Sequence, residues 1–290
     1  MLQEIIAAIC SKPFFNTDLE KARNIITGNP LLDRQHLARL VCEQFGWVAA
    51  NGRLKEMSCK VALLKLHRRG LIELPAAKRK PTNAKKITVS SLSDPCFPIN
   101  KSIQEIGAIE IRVVQAKTES RLWNELIERY HYLGYKVLPG AQIRYLIYCR
   151  EGLLGAISFS ASAWKTAPRD RWIGWDSAER EKSLHLIVNN SRYLIAPWVK
   201  VPHLASKVLS LCAKRIRADW KERYAYEPVL LETFVEKDRF KGTCYKAANW
   251  IYIGQTQGRG KKDIHHERLL PIKDIWMYPL VKDFREQLKG

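Results

Sequence analysis

A chain of 290 residues, 46% hydrophobic and 27% charged, can bury one large core or two ordinary ones. No run of about 18 apolar residues occurs, which excludes a membrane-spanning helix. Seven cysteines, odd in number and without a C-x-x-C pair, exclude a disulfide framework and a structural zinc. The net charge of +20 favours polyanions, because Lys and Arg that neutralise phosphates release counterions.

The N-terminus, Met1-Leu2-Gln3-Glu4-Ile5-Ile6, lacks the basic start of a signal peptide, and with cysteines read as reduced the expectation is a cytoplasmic chain. Asp33 is positioned to cap a helix carrying Leu37, Leu40, Val41 and Phe45 on one face. Asn51-Gly52 breaks it. A second helix starts near Met57, with Val61, Leu64 and Leu66 expected inward and Lys60, Lys65, Arg68 and Arg69 outward, and stops at Gly70. The run Leu71-Ile72-Glu73-Leu74 reads as a strand. Helix, turn, basic helix and strand is the order of a winged helix, whose second helix enters the major groove; the alternative is a small helical cap or a protein-contact module.

Residues 76–103 read as a basic linker, broken by Pro81, Pro95 and Pro98 and carrying 6 Lys/Arg against 1 Asp/Glu. Residues 1–75 carry 11 against 7, and residues 104–290 carry 32 against 21, so the positive excess extends over the whole chain. From residue 104 strands and helices alternate: a strand at 110–114, a helix at 119–132, and a hairpin at 143–148 and 153–159. A strand at 192–195 leads into a helix that starts at Val201-Pro202 and reaches Trp220. An apolar, central strand at 229–235, a short helix at 243–248 and strands at 251–254 and 275–278 close the chain. The fold class is α/β (α+β): an N-terminal winged-helix domain, then a mixed sheet with flanking helices.

Several side chains are candidates for chemistry. Arg169, Arg171, Trp172 and Trp175 form an arginine–indole cluster suited to phosphate contact and base stacking, or to packing a loop onto the sheet. Arg259, in Gln257-Gly258-Arg259-Gly260-Lys261-Lys262, lies in a basic turn that could clamp phosphate but lacks the P-loop pattern. Asn189, Asn190, Arg192 and His203 flank a strand end where α/β folds bind ligands. Glu232 sits in an apolar run; it is either paired with Arg192 or Arg239, or held in a cleft as a base. Asp170, Asp176, Glu232 and Asp238 fit no metal spacing, and His265-His266 reads as a solvated loop, so no metal is expected.

The element order of residues 104–290 resembles the GNAT N-acyltransferases. The stretch Asp238-x-x-Lys241-x-x-Cys244-Tyr245-Lys246-Ala247-Ala248-Asn249-Trp250 is similar to that superfamily's closing motif. The resemblance implies a GNAT-like mixed sheet and puts Tyr245 on the tyrosine that often serves as general acid there. Asp238 replaces an Asn. The turn Trp198-Val199-Lys200-Val201-Pro202-His203-Leu204-Ala205-Ser206 has no glycine, so close backbone approach to a pyrophosphate is blocked and coenzyme A is not expected to bind in the usual way. The cofactor is left unknown.

A second resemblance spans nearly the whole chain. Gly140-Ala141-Gln142-Ile143-Arg144-Tyr145-Leu146, Phe159-Ser160-Ala161-Ser162-Ala163-Trp164 and Ala167-Pro168-Arg169-Asp170-Arg171-Trp172-Ile173-Gly174-Trp175 resemble the DruA family. So do Leu186-Ile187-Val188-Asn189-Asn190-Ser191-Arg192, Glu232-Thr233-Phe234-Val235 and Gly254-Gln255-Thr256-Gln257-Gly258-Arg259-Gly260. The resemblance implies a component of the bacterial Druantia anti-phage system. The expectation is a DNA-binding component whose partners are double-stranded DNA and other defence-system proteins. The alternatives are an enzyme that modifies or cuts DNA, with Tyr245, Glu232 and Asp238 as its catalytic candidates, and a transposition-related processing factor.

Overall fold

The computed structural model describes residues 5–10, 12–78, 87–258 and 270–290. The chain divides into two compact units, 1–84 and 85–290.

The first unit begins with a hairpin, β1 (Ala7–Ile9) and β2 (Lys12–Phe14), followed by α1 (Asn16–Thr27), α2 (Arg34–Gln44) and α3 (Glu56–Arg68). Asp33 caps α2 by accepting from the N–H groups of Gln35 and His36 at 2.9 and 3.0 Å, satisfying donors that a helix start otherwise leaves orphaned. Phe14, Leu19, Val41, Leu63 and Leu66 form the core. The inward face of α3 differs from expectation: Cys59, Ala62, Leu63 and Leu66 are buried, while Val61 is exposed. Small residues face inward because Ala22, Ala38 and Ala62, all at 1% exposure or less, let the helices approach closely. Residues 71–74 are not a strand. Ile72 and Leu74 are buried, but side chains take the backbone groups of this segment: Leu71 O accepts from Arg23 at 2.8 Å, and Leu74 N–H donates to His67 Nδ1 at 3.3 Å. Among the described residues no strand follows α3 within this unit, so the expected wing is missing there.

Residues 87–103, expected as linker, belong to the second unit. A 3-10 turn at Ser91–Ser93 and the short α4 (Ile103–Ile106) occur at its start, and Ile99 bridges in parallel to Val199. Then come β3 (Glu110–Val113), α5 (Lys117–Tyr130), β4 (Gln142–Cys149), β5 (Gly152–Ala161), α6 (Ala167–Ile173) and α7 (Ser177–Ser183). They are followed by β6 (Ile187–Ile195), α8 (Leu204–Tyr224), β7 (Leu230–Glu236), α9 (Thr243–Ala247), β8 (Ile251–Gln255), β9 (Lys273–Pro279) and α10 (Phe284–Lys289). The seven strands form one mixed sheet in the order β3-β4-β5-β6-β7-β9-β8, antiparallel except for β6 with β7. Side chains alternate across it. Val188, Leu231 and Trp276 join the larger core with α5 and α8; Ile187, Leu230, Ile275 and Met277 join a smaller one with Ile173, Phe284 and Leu288. No described helix is long and apolar enough to cross a membrane.

A buried carboxylate fastens the 3-10 turn to α5. Glu125 is fully buried and accepts from Ser90 N–H at 2.8 Å, Ser93 Oγ at 3.1 Å and Arg121 Nε at 2.8 Å. Burial alone would raise its pKa; the donors from Ser90, Arg121 and Ser93 outweigh that and bring it down to about 2. A depressed carboxylate stabilises the fold fully above its unfolded value of 4.5, and the contribution fades as pH falls towards 2. Glu125→Gln is therefore expected to be less stable than the parent near neutrality, with the gap closing as the pH of urea unfolding is lowered from 5 to about 2.

Candidate functional site

A crossover through α8 makes β6 and β7 parallel, as such connections require. They pair only over 187–189 with 230–232 and separate beyond that point. The gap is a cleft of about 420 Å³, walled by β6, β7, the segment 131–133 after α5 and residues 240–245. A second lobe of about 480 Å³, reaching residues 160–164, shares Leu133, Asn190, Ser191, Arg192 and Phe234 with it.

The floor is a closed polar network. Tyr245 donates its hydroxyl to Asn190 Oδ1 at 2.7 Å, Asn190 Nδ2 donates to Ser158 O at 3.0 Å, and Thr233 Oγ1 donates to Asn190 O at 3.1 Å. Burial pushes the Tyr245 phenol well above the ordinary tyrosine range. It is a neutral donor already engaged by the fold. Asn189, beside it, keeps its Oδ1 buried without a hydrogen-bond partner among the described residues, and the residue lines the second lobe.

Arg192 projects into the junction of the two lobes. It is 8% exposed, and its Nε and Nη1 donate to the carbonyls of Gly134 at 3.3 Å and Ser191 at 2.7 Å. It pairs with no carboxylate among the described residues. Burial lowers its pKa. Next to it, burial and then the Arg192 charge bring His131 to a pKa of about 4, so its imidazole is neutral at physiological pH. His131 stacks on Tyr132 at 4.9 Å, Tyr132 meets Phe240 edge-on at 5.3 Å, and Arg239 lies 5.0 Å over the Tyr132 ring. Sequence reasoning missed this rim. Its signal was the aromatic run Tyr130-His131-Tyr132 at the end of a helix.

Other sequence candidates lie elsewhere. Glu232 does not pair with Arg192 or Arg239: it is fully buried, accepts from Arg169 Nη1 at 2.9 Å and from Ala163 N–H at 2.9 Å, and is not a wall of the cleft. Arg169, expected against phosphate, is equally buried and also meets Asp170 at 3.1 Å and the carbonyl of Ala163 at 2.7 Å. Trp175 is buried, and half-buried Trp172 stacks on Phe284 at 5.2 Å beneath Arg285 at 4.6 Å. In this cluster the indoles pack the fold, and only Arg171 is exposed. Asp238 is exposed on the turn after β7. His203, also exposed, occupies a left-handed backbone (φ 62°) just before α8 and does not line the cleft. Arg259, Gly260, Lys261 and Lys262 of the basic turn, together with His265-His266, lie outside the described residues.

The turn before α8 does not suit a pyrophosphate. Val199 N–H donates to Ala196 O and Lys200 N–H to Ile99 O, at 2.9 and 2.8 Å, and Trp198, Val199 and Val201 are buried. Two of the N–H groups such a turn would offer are thus already bonded. Among the described residues, no three His, Cys, Asp or Glu side chains are grouped to hold a metal. On α3, Lys60, Lys65, Arg68 and Arg69 are all exposed.

Solved structures similar to this chain include an N-acetyltransferase from Staphylococcus aureus Mu50, at 11% identity and TM-score 0.34, covering 60% of this chain and 99% of that one. A probable acetyltransferase from Staphylococcus epidermidis ATCC 12228 is 8% identical with TM-score 0.39, covering 60% and 100%. The ribosomal-protein-S18-alanine N-acetyltransferase from Escherichia coli is 6% identical with TM-score 0.37, covering 60% and 94%. At these scores the likeness carries nothing about chemistry. No curated protein sequence matches the chain. The family model described as Druantia protein DruA matches residues 65–269, well over half of the sequence, and the chain belongs to the DruA family.

Proposed function

We propose that this DruA-family chain is the component of a Druantia defence system that engages double-stranded DNA, with α3 as the element that meets the duplex. One observation carries the reading. Lys60, Lys65, Arg68 and Arg69 are exposed on α3 and its C-cap, and among the described residues none is neutralised by an acidic side chain. Four free cations on one 13-residue helix and its cap supply the phosphate contacts that dominate affinity for duplex DNA. Exposed Met57 and Val61 lie among them, offering apolar contact of the kind thymine methyl groups accept. The same two residues favour a second reading, in which α3 docks on another defence-system protein.

The reading as a DNA-modifying enzyme is weaker. Glu232 is neutralised in a buried pair, Asp238 is exposed away from it, and the Tyr245 hydroxyl is held by Asn190.

Duplex affinity measured over a salt series separates these. Lys65→Glu with Arg68→Glu is expected to lower affinity at least about tenfold at low salt and to reduce the slope of log K against log salt by about 2. An unchanged slope removes α3 as the DNA contact. A protein partner lost on Met57→Ala, with duplex affinity intact, selects the second reading.

A further inference from the structure

We propose that the cleft between β6 and β7 is a nucleotide site, in which Arg192 holds a phosphate and the aromatic rim takes the base. The phosphate comes from a free mononucleotide or from the 5′-phosphorylated end of a strand.

The first support is a charge that no acidic side chain compensates among the described residues. A guanidinium that is 8% exposed would ordinarily meet a carboxylate, as Arg169 does. Arg192 instead has two backbone carbonyls, which take Nε and Nη1 but supply no negative charge. A planar, anchored guanidinium facing a cavity is arranged for an oxyanion, with its fork already oriented. His131 cannot compete for the anion, since it is neutral at physiological pH.

The second support is independent of the charge. The rim beside Arg192 exposes Phe240 at 46% and Tyr132 at 36%, both large aromatic rings at the mouth of a cavity. Exposed aromatic faces next to a buried cation suit a ligand with a flat ring on one side and an anion on the other. Lys241 at the same rim adds a solvated positive charge. A cavity of about 420 Å³ is in the range that small organic ligands fill.

Calorimetry on the full chain tests this, with AMP, dAMP, adenosine, inorganic phosphate and a short single strand carrying either a 5′-phosphate or a 5′-hydroxyl. AMP or dAMP, or the phosphorylated strand, is expected to bind at least about tenfold tighter than its unphosphorylated counterpart. Binding of the mononucleotide identifies a free ligand; binding of the phosphorylated strand alone identifies a strand end. Arg192→Gln is expected to lose about ten- to a hundredfold in affinity, with Arg192→Lys between it and the parent. Phe240→Ala, at an exposed position that leaves the core intact, is expected to weaken the nucleotide several-fold and leave inorganic phosphate unaffected. Lys65→Glu with Arg68→Glu is expected to bind the mononucleotide like the parent, which separates this site from duplex binding. The proposal is overturned if no phosphorylated probe binds, if adenosine binds as tightly as AMP, or if Arg192→Lys and Phe240→Ala both match the parent.

Discussion

Arg169→Met is expected to destabilise the second unit by about 3–5 kcal/mol, read as a shift in the urea midpoint with the slope unchanged. Arg169 and Glu232 are both at 0% exposure and meet at 2.9 Å. Removing the cation leaves a buried carboxylate with the Ala163 N–H as its remaining donor among the described residues. The reverse change is milder. In Glu232→Gln, Arg169 still faces Asp170 at 3.1 Å, and the amide can still accept from Ala163. The double variant Arg169→Met, Glu232→Met is expected to regain most of the loss, because neither charge is left buried. A cost for Arg169→Met no larger than that of a surface change would show that the pair does not hold the fold.

Gly155→Ala is expected to cost about 3 kcal/mol or more, because overpacking against backbone cannot be relieved by a rotamer change. A Cβ at Gly155 would lie 2.1 Å from Leu194 O and 3.1 Å from Ile195 Cα. Gly155 pairs with Ile195 where β6 closes over β5, so the two strands would have to part. Their separation would propagate along β6 to Arg192 and the cleft wall. Thermal unfolding reads the stability loss, and nucleotide calorimetry on the folded fraction reads the wall. An alanine that leaves both unchanged would mean that β5 and β6 part there at little cost.

Much of the second unit was legible because its strands are strongly patterned. The hairpin around Arg150-Glu151-Gly152 and the apolar run ending in Val235 fall where the alternation and turn residues put them, whereas the helix expected from Val201-Pro202 to Trp220 begins at Leu204 and runs to Tyr224. The first half of β6 was not read, because Ile187-Val188-Asn189-Asn190 interrupts its apolar pattern with two asparagines. Those asparagines belong to the cleft. The hairpin β1–β2 and α1 also escaped notice, and with them the correct inward face of α3, since only their packing makes Cys59 and Ala62 core positions. In the candidate site, Asn190, Arg192 and Tyr245 were named from the sequence and do converge. The partner of Glu232 was misassigned because Arg169 is 63 residues away in the chain, and no local pattern links the two.

Three residue pairs are few to hold a nine-residue strand to a seven-residue one. The sheet thus has a mechanical seam between β6 and β7, and backbone rungs contribute little to its stiffness there. Side-chain contacts add to the three rungs: Glu232 on β7 accepts from Arg169 of α6 and from the chain just after β5. The seam is thus bridged by an ion pair neither of whose residues lines the cleft. Loosening that clamp is expected to weaken the seam without altering any residue that lines the cleft.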